Sequence, residues 1–177
     1  MPDLEDLYRE IILDHYRSPR NRGELPAPPA HRVEGYNPLC GDEVIVTIEV
    51  ADGTLTDIKV AGQGCSISQS SASLMSGAVK GRPLDEVHRT IRTFKAMMSI
   101  HEATLGDDVE DGEPDTTSPV AANGHAAAEE TVVPDLESIG ELAALQGVVK
   151  FPVRIKCATL SWNALVQGLR EVEQPAT

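Results

Sequence analysis

The sequence predicts an α+β fold, a small antiparallel sheet with helices packed on it, and three features carry that expectation. Val44, Val46, Ile48 and Val50 alternate with more polar neighbours, Asp52-Gly53 follows as a turn pair, and Leu55 to Val60 reads as the returning strand. Beyond this hairpin the apolar residues change to helical spacing. Strands therefore come early and helices mostly afterwards, the order expected when helices gather on one side of a sheet.

The elements follow in chain order. Leu4, Leu7, Tyr8, Ile11 and Ile12 recur at helical spacing, with Asp3 as N-cap and acids in the first turn. Ser18-Pro19-Arg20-Asn21-Arg22-Gly23 stops this helix, and Pro26, Pro28 and Pro29 extend the break. A short strand is expected near His31 to Gly35, before the hairpin. Gly62-Gln63-Gly64-Cys65 then leads into a small-residue helix, Ser66 to Lys80, with Ala72, Met75, Ala78 and Val79 on one face and Gly81 as its stop. Pro83 opens a helix carrying Leu84, Val87, Ile91, Phe94 and Met98 as a core-facing stripe. A short helix around Leu136 to Leu145 precedes a final one that starts at Pro152 and carries Val153, Cys157, Leu160, Ala164 and Leu169. Trp162 is read as core or partial interface, and Tyr36, beside the Cys40 turn, as a packing residue or, alternatively, one that lines the site.

A chain of 177 residues can bury a substantial core as a single domain, here taken as 1–177. Its formal net charge of −13 is local: 12 of the 28 acidic residues lie between Glu102 and Glu141, where there is no Lys or Arg, leaving 16 acids against 15 bases elsewhere. Residues 106–134 are poor in large apolar residues and show no period, so they are read as a disordered acidic insertion. Neither part has the broad basic face that binding to a phosphate backbone uses, which argues against nucleic acid as a partner. No apolar run approaches the roughly 18 residues of a membrane span, and no charged-then-apolar leader follows Met1. Three cysteines cannot all pair within one chain, so a disulfide framework is not expected. Free thiols suit a reducing, cytoplasmic setting.

Those thiols carry the chemistry. Cys40 and Asp42 flank Gly41 in one tight turn before the first clear strand, so a thiol and a carboxylate project together. Cys65 leaves the next strand through Gly62-Gln63-Gly64, where missing side chains permit close approach. An antiparallel hairpin separates these two turns, so the end of its second strand returns beside the start of its first and brings Cys65 towards Cys40. Cys157 lies near the start of the final helix and joins them if that helix crosses the end of the sheet. Taken singly, a cysteine reads as a small buried hydrophobe. Three sulfur donors and one oxygen together suit tetrahedral zinc rather than magnesium or calcium. The five histidines show no ligand spacing.

Outside the acidic insertion, the chain resembles the SufU branch of the NifU/IscU-type iron–sulfur cluster assembly proteins. The likeness rests on Asn37-Pro38-Leu39-Cys40-Gly41-Asp42, on Gly64-Cys65-Ser66-Ile67-Ser68 with its Ser/Ala-rich helix, and on the stretch from Leu145 through Phe151-Pro152-Val153-Arg154-Ile155-Lys156-Cys157 to Trp162. It implies a SufU/IscU-like fold, zinc held by Cys40, Asp42, Cys65 and Cys157, and a cysteine desulfurase of the SufS type as partner, with other SUF assembly proteins as further candidates. The function it implies is zinc-dependent sulfur transfer, in which persulfide sulfur is accepted from the desulfurase. The alternative is an IscU-type scaffold that assembles and passes on an iron–sulfur cluster. IscU-type proteins carry a histidine directly before the third cysteine; Lys156 stands there in this chain and favours the first function. Zinc would hold the thiols deprotonated while quenching them as nucleophiles. Cys40, on an irregular turn, is therefore the expected sulfur acceptor. Arg154 and Lys156 are candidates for stabilising a thiolate or meeting acids on the partner.

Overall fold

The computed structural model describes residues 3–104 and 139–174; the acidic insertion expected at 106–134 lies outside the described residues. Helix α1 (Leu4–Arg17) is followed by strands β1 (His31–Asn37), β2 (Asp42–Ala51) and β3 (Thr54–Gln63), helix α2 (Ser66–Val79), the short strand β4 (Arg82–Pro83) and helix α3 (Leu84–Thr104). A run of 3₁₀ turns (Gly140–Lys150) then leads into helix α4 (Pro152–Glu173). The four strands pair antiparallel in chain order, β1-β2-β3-β4, which is the α+β arrangement expected.

The local signals act as their chemistry requires. Asp3 caps α1 by accepting a hydrogen bond from the Asp6 amide at 3.0 Å. Asp52 and Gly53 both adopt positive φ, 53° and 72°, the conformation of a two-residue hairpin turn whose twist matches its strands. Pro152 opens α4, where an amide hydrogen would have had no intrahelical partner. β1 runs two residues further than expected, to Asn37, and Arg82-Pro83 adds a strand before α3 by pairing with Thr54 and Leu55. Residues 21–23 cover the free edge of β3 beside Val60: Gly23 N donates to Val60 O at 3.0 Å and Val60 N to Asn21 O at 2.9 Å.

One face of the sheet carries the core. Val33 of β1, Val44, Val46 and Ile48 of β2, and Leu55, Ile58 and Val60 of β3 are buried against Met75 and Val79 of α2, Val87, Ile91 and Phe94 of α3, and Trp162, Leu165 and Leu169 of α4. Trp162 is entirely core: it stacks on Phe94 with ring centroids 4.0 Å apart, and its indole N–H donates to Ser71 Oγ at 3.1 Å. Ser71 Oγ in turn donates to Ala158 O at 2.5 Å, so the serines of α2 tie it to α4 through satisfied polar contacts. His15 is likewise buried, bonded to Ser73 Oγ at 2.8 Å and Glu141 Oε2 at 3.1 Å, and joins α1, α2 and the 3₁₀ segment.

Packing sets the direction of α4. A Cβ on Gly35 would lie 3.0 Å from Val44 Cγ1 and 3.3 Å from Leu160 Cδ1, and one on Gly168 would lie 3.1 Å from Val33 Cγ2. The helix therefore runs along β1, with its C-terminal part near the start of that strand and its first turns at the end where β1 passes into β2. No described helix is long and apolar enough to cross a membrane.

Candidate metal centre

The β1–β2 connection, the start of α2 and the first turns of α4 converge at this end of the sheet. Gly41 closes the β1–β2 turn with φ 69°, and its amide donates to Asn37 O at 2.8 Å. Leu39 N donates to Asn37 Oδ1 at 3.1 Å, a side-chain-closed turn of the kind asparagine favours. Cys40 is left exposed on this turn, while Asp42, the first residue of β2, points inward and is 1% exposed.

Cys157 Sγ, fully buried on α4, lies 3.4 Å from Cys40 Sγ. Cys40 Sγ, Cys157 Sγ and an Asp42 carboxylate oxygen all sit within 4.8 Å of one another, close enough for one metal ion to touch all three. Cys65 stands beside this group rather than inside it. As N-cap of α2, its sulfur accepts from the Ser68 amide at 3.4 Å and lies 3.9 Å from Asp42 Oδ2, while its own amide donates to Asp42 Oδ1 at 3.0 Å. Pairing of Glu43 with Gln63 across the hairpin brings the two turns together.

Two features show that the residues suit a cation. Asp42 is a buried carboxylate with no Lys, Arg or His within ion-pair distance among the described residues, and a buried charge needs a compensating one. Gly64 leaves the space its carboxylate occupies: a Cβ there would lie 2.5 Å from Asp42 Oδ1 and 2.5 Å from Ser68 Oγ. Two or three sulfurs with one oxygen form a donor set that favours zinc over hard cations. Burial pushes the Cys157 thiol well above the ordinary thiol range, and hydrogen bonds to Asp42 and Cys40 push it further. Burial at this position thus favours the neutral thiol, and a bound cation would favour the thiolate.

The basic candidates separate. Coulombic attraction to Cys65, then a hydrogen bond to that sulfur, raise the pKa of the Arg154 guanidinium, with smaller contributions from Cys157 and Cys40. Lys156 is exposed and forms no ion pair among the described residues. Tyr36 departs from the packing role expected of it. It alternates with buried Asn37 along β1 and so projects from the opposite face, 61% exposed. Leu39 (70% exposed), Phe151 (61%) and Val153 (64%) are large apolar side chains left uncovered on the turn and helix start that carry Cys40 and Cys157. Leu39 and Val153 lie inside the family motifs, yet only the structure shows that they are uncovered.

Comparison with known proteins agrees with this geometry. Residues 7–112 match the NifU-like N terminal domain. The zinc-dependent sulfurtransferase SufU of Bacillus subtilis (strain 168) is 37% identical over 97% of this chain and 95% of its own length. The iron-sulfur cluster assembly scaffold protein IscU of Streptococcus pyogenes serotype M1 is 32% identical over 94% of this chain and 85% of its own. Among solved structures, FiSufU from Fervidobacterium islandicum AW-1, described as a scaffold protein for the SUF system, superposes with a TM-score of 0.67 at 24% identity, covering 94% of this chain and 99% of that one. The last likeness establishes the fold alone. Taken with the motif matches, these relationships show that the chain belongs to the family of NifU-like N-terminal domains, in its SufU branch.

Proposed function

We propose that this protein is a zinc-dependent sulfurtransferase of iron–sulfur cluster assembly, accepting persulfide sulfur from a cysteine desulfurase of the SufS type. The observation that carries this reading is the convergence of Cys40, Asp42 and Cys157 within 4.8 Å, with Cys65 next to Asp42, in a chain 37% identical to a zinc-dependent sulfurtransferase. Cys40, Asp42, Cys65 and Cys157 would hold the zinc, with Cys65 turning from the Ser68 amide towards the other three. When bound, zinc supplies positive charge that keeps the thiols deprotonated at neutral pH and tempers their nucleophilicity.

Cys40 is the acceptor because it is the exposed sulfur, on a turn, whereas Cys157 is buried on a helix. Its thiolate attacks the outer sulfur of the desulfurase persulfide. A new S–S bond forms to Cys40, the S–S bond of the enzyme persulfide breaks, and the electron pair leaves on the desulfurase cysteine as thiolate. Arg154, drawn to the sulfurs of Cys65, Cys157 and Cys40, holds positive charge beside the thiols throughout. Lys156 is exposed on α4 for contact with acids of the partner. The uncovered Leu39, Phe151 and Val153 suit a protein surface as partner, since large apolar groups on the segments that carry the reactive thiols are costly to leave in water.

On the same reading the chain is a single domain in which residues 106–134 are an insertion between α3 and the 3₁₀ segment, and it works in a reducing compartment such as the cytoplasm. The test is mass spectrometry after incubation with desulfurase and cysteine. Cys40 gains one sulfur atom, and a folded Cys40→Ala protein gains none; normal loading of that variant would overturn the assignment.

A further inference from the structure

The three thiols divide into a pair and a single one. Cys40 is exposed on the β1–β2 turn and Cys157 is buried on α4, 117 residues further along the chain, yet their sulfurs are 3.4 Å apart. A disulfide bond is about 2.0 Å long, so these sulfurs have only about 1.4 Å left to close. Rotation of the Cys40 side chain and a small shift of its turn can cover that distance, because a Cβ on the neighbouring Gly41 would meet nothing within 4 Å and the turn has open space around it. Cys157, fixed on a packed helix, is the stationary partner.

Cys65 is engaged elsewhere. It lies outside the group formed by Cys40, Asp42 and Cys157, and as N-cap of α2 its sulfur accepts from the Ser68 amide at 3.4 Å, with Arg154 as a second donor. Drawing it into a bond with either of the others would uncap that helix.

We infer that Cys40 and Cys157 form a thiol–disulfide switch, closed by a hydroperoxide and reopened by a thiol reductant. Hydrogen peroxide transfers one oxygen to the exposed Cys40 sulfur; the O–O bond breaks, water leaves, and Cys40 becomes a sulfenic acid, oxidised by two electrons. The Cys157 sulfur then bonds to that sulfur as the S–O bond breaks, and the departing hydroxyl takes up the thiol hydrogen of Cys157 as a second water. Two thiols and one hydrogen peroxide thus give one disulfide and two waters. The bond removes two of the sulfur donors and leaves Asp42 and Cys65, too few to complete a tetrahedral zinc site. It also occupies the sulfur that accepts persulfide, and it traps Cys40 before irreversible oxidation to the sulfinic acid. Closure stands on the placement of the two sulfurs, whereas its effect on sulfur transfer rests on Cys40 as the acceptor.

The experiment treats the full-length protein, zinc-loaded and after removal of zinc by a chelator, with hydrogen peroxide, followed by alkylation and peptide mass spectrometry. The stripped protein becomes lighter by two hydrogen atoms, the peptides that hold Cys40 and Cys157 are linked, Cys65 is alkylated, and dithiothreitol restores all three thiols. In the loaded protein, released zinc rises one for one with the same disulfide. Cys65→Ser, which keeps a capping residue on α2, closes the same bond; Cys157→Ser instead gathers sulfinic acid on Cys40. An intramolecular disulfide that contains Cys65, or a wild-type protein with sulfinic Cys40 beside a free Cys157, would overturn the pairing. A Cys40–Cys157 disulfide in protein that keeps its zinc would overturn the switch. Failure of the reduced wild-type protein to acquire sulfur on Cys40 would instead overturn the sulfur-transfer reading, so the failures are distinguishable.

Discussion

Gly64→Ala probes the centre without replacing any residue that supplies a sulfur or oxygen donor. Gly64 is outside the left-handed region, so alanine meets no backbone penalty there, but its Cβ would lie 2.5 Å from Asp42 Oδ1, 2.5 Å from Ser68 Oγ and 3.0 Å from Asp42 Cγ. Real Cβ contacts essentially never fall under 3.0 Å and are ordinary only from 3.4 Å, so the carboxylate must retreat by roughly half an ångström to an ångström. It then loses the 3.0 Å bond from Cys65 N, a charge-assisted hydrogen bond worth about 1.5–3 kcal/mol. Overpacking adds about 1–3 kcal/mol where neighbours cannot yield. Part of each cost is recovered as the carboxylate relaxes, so a net loss of about 2–4 kcal/mol is expected. Misplacing groups around a metal typically costs about 10–100-fold in affinity, and zinc binding should fall by that factor. The control is Gly77→Ala in α2, where a Cβ meets nothing within 4 Å. That change should stabilise by about 0.5–1 kcal/mol and leave zinc binding alone. Urea denaturation of the metal-free proteins and chelator competition for zinc measure both quantities. Wild-type zinc affinity in Gly64→Ala would refute the argument that its missing side chain makes room for Asp42.

Three further outcomes are expected. Val153→Asp changes a residue 64% exposed in the first turn of α4, so stability should stay within about 0.5 kcal/mol while half-saturation of desulfurase stimulation weakens at least about tenfold, read by titration against the enzyme. Trp162→Phe removes the donor to Ser71 and part of the stack on Phe94, and should cost about 1–3 kcal/mol in urea denaturation with zinc affinity retained. Lys80 hydrogen-bonds Asp57 and holds its carboxyl below the usual range, so the pair stabilises the fold above the unfolded carboxylate pKa of about 3.9 and loses that contribution as pH falls through the lowered value. Asp57→Asn should narrow its deficit against wild type between pH 5 and 3, by less than about 1 kcal/mol because both side chains are about a third exposed or more; a deficit independent of pH would refute the pairing.

Features encoded by near neighbours were legible in the chain itself. The period-two run of β2, the positive-φ pair Asp52-Gly53, the Asp3 cap and Pro152 at the start of α4 each depend on a few adjacent residues, so the α+β fold and most element boundaries follow from them. The adjacency of the Cys40 and Cys65 turns was also readable, because an antiparallel hairpin must return to its origin. The 3.4 Å approach of Cys157 to Cys40 was not, since it depends on how α4 crosses the sheet, which Gly35 and Gly168 permit only once the other elements are packed. The same packing leaves Asn37 buried and exposes Tyr36 on the opposite face. Sequence patterns determined which residues bear the chemistry, because side-chain type and local spacing are written in the chain. Tertiary structure alone decided which cysteine is exposed and how closely the sulfurs approach, because burial and distance between remote segments are properties of the packed whole.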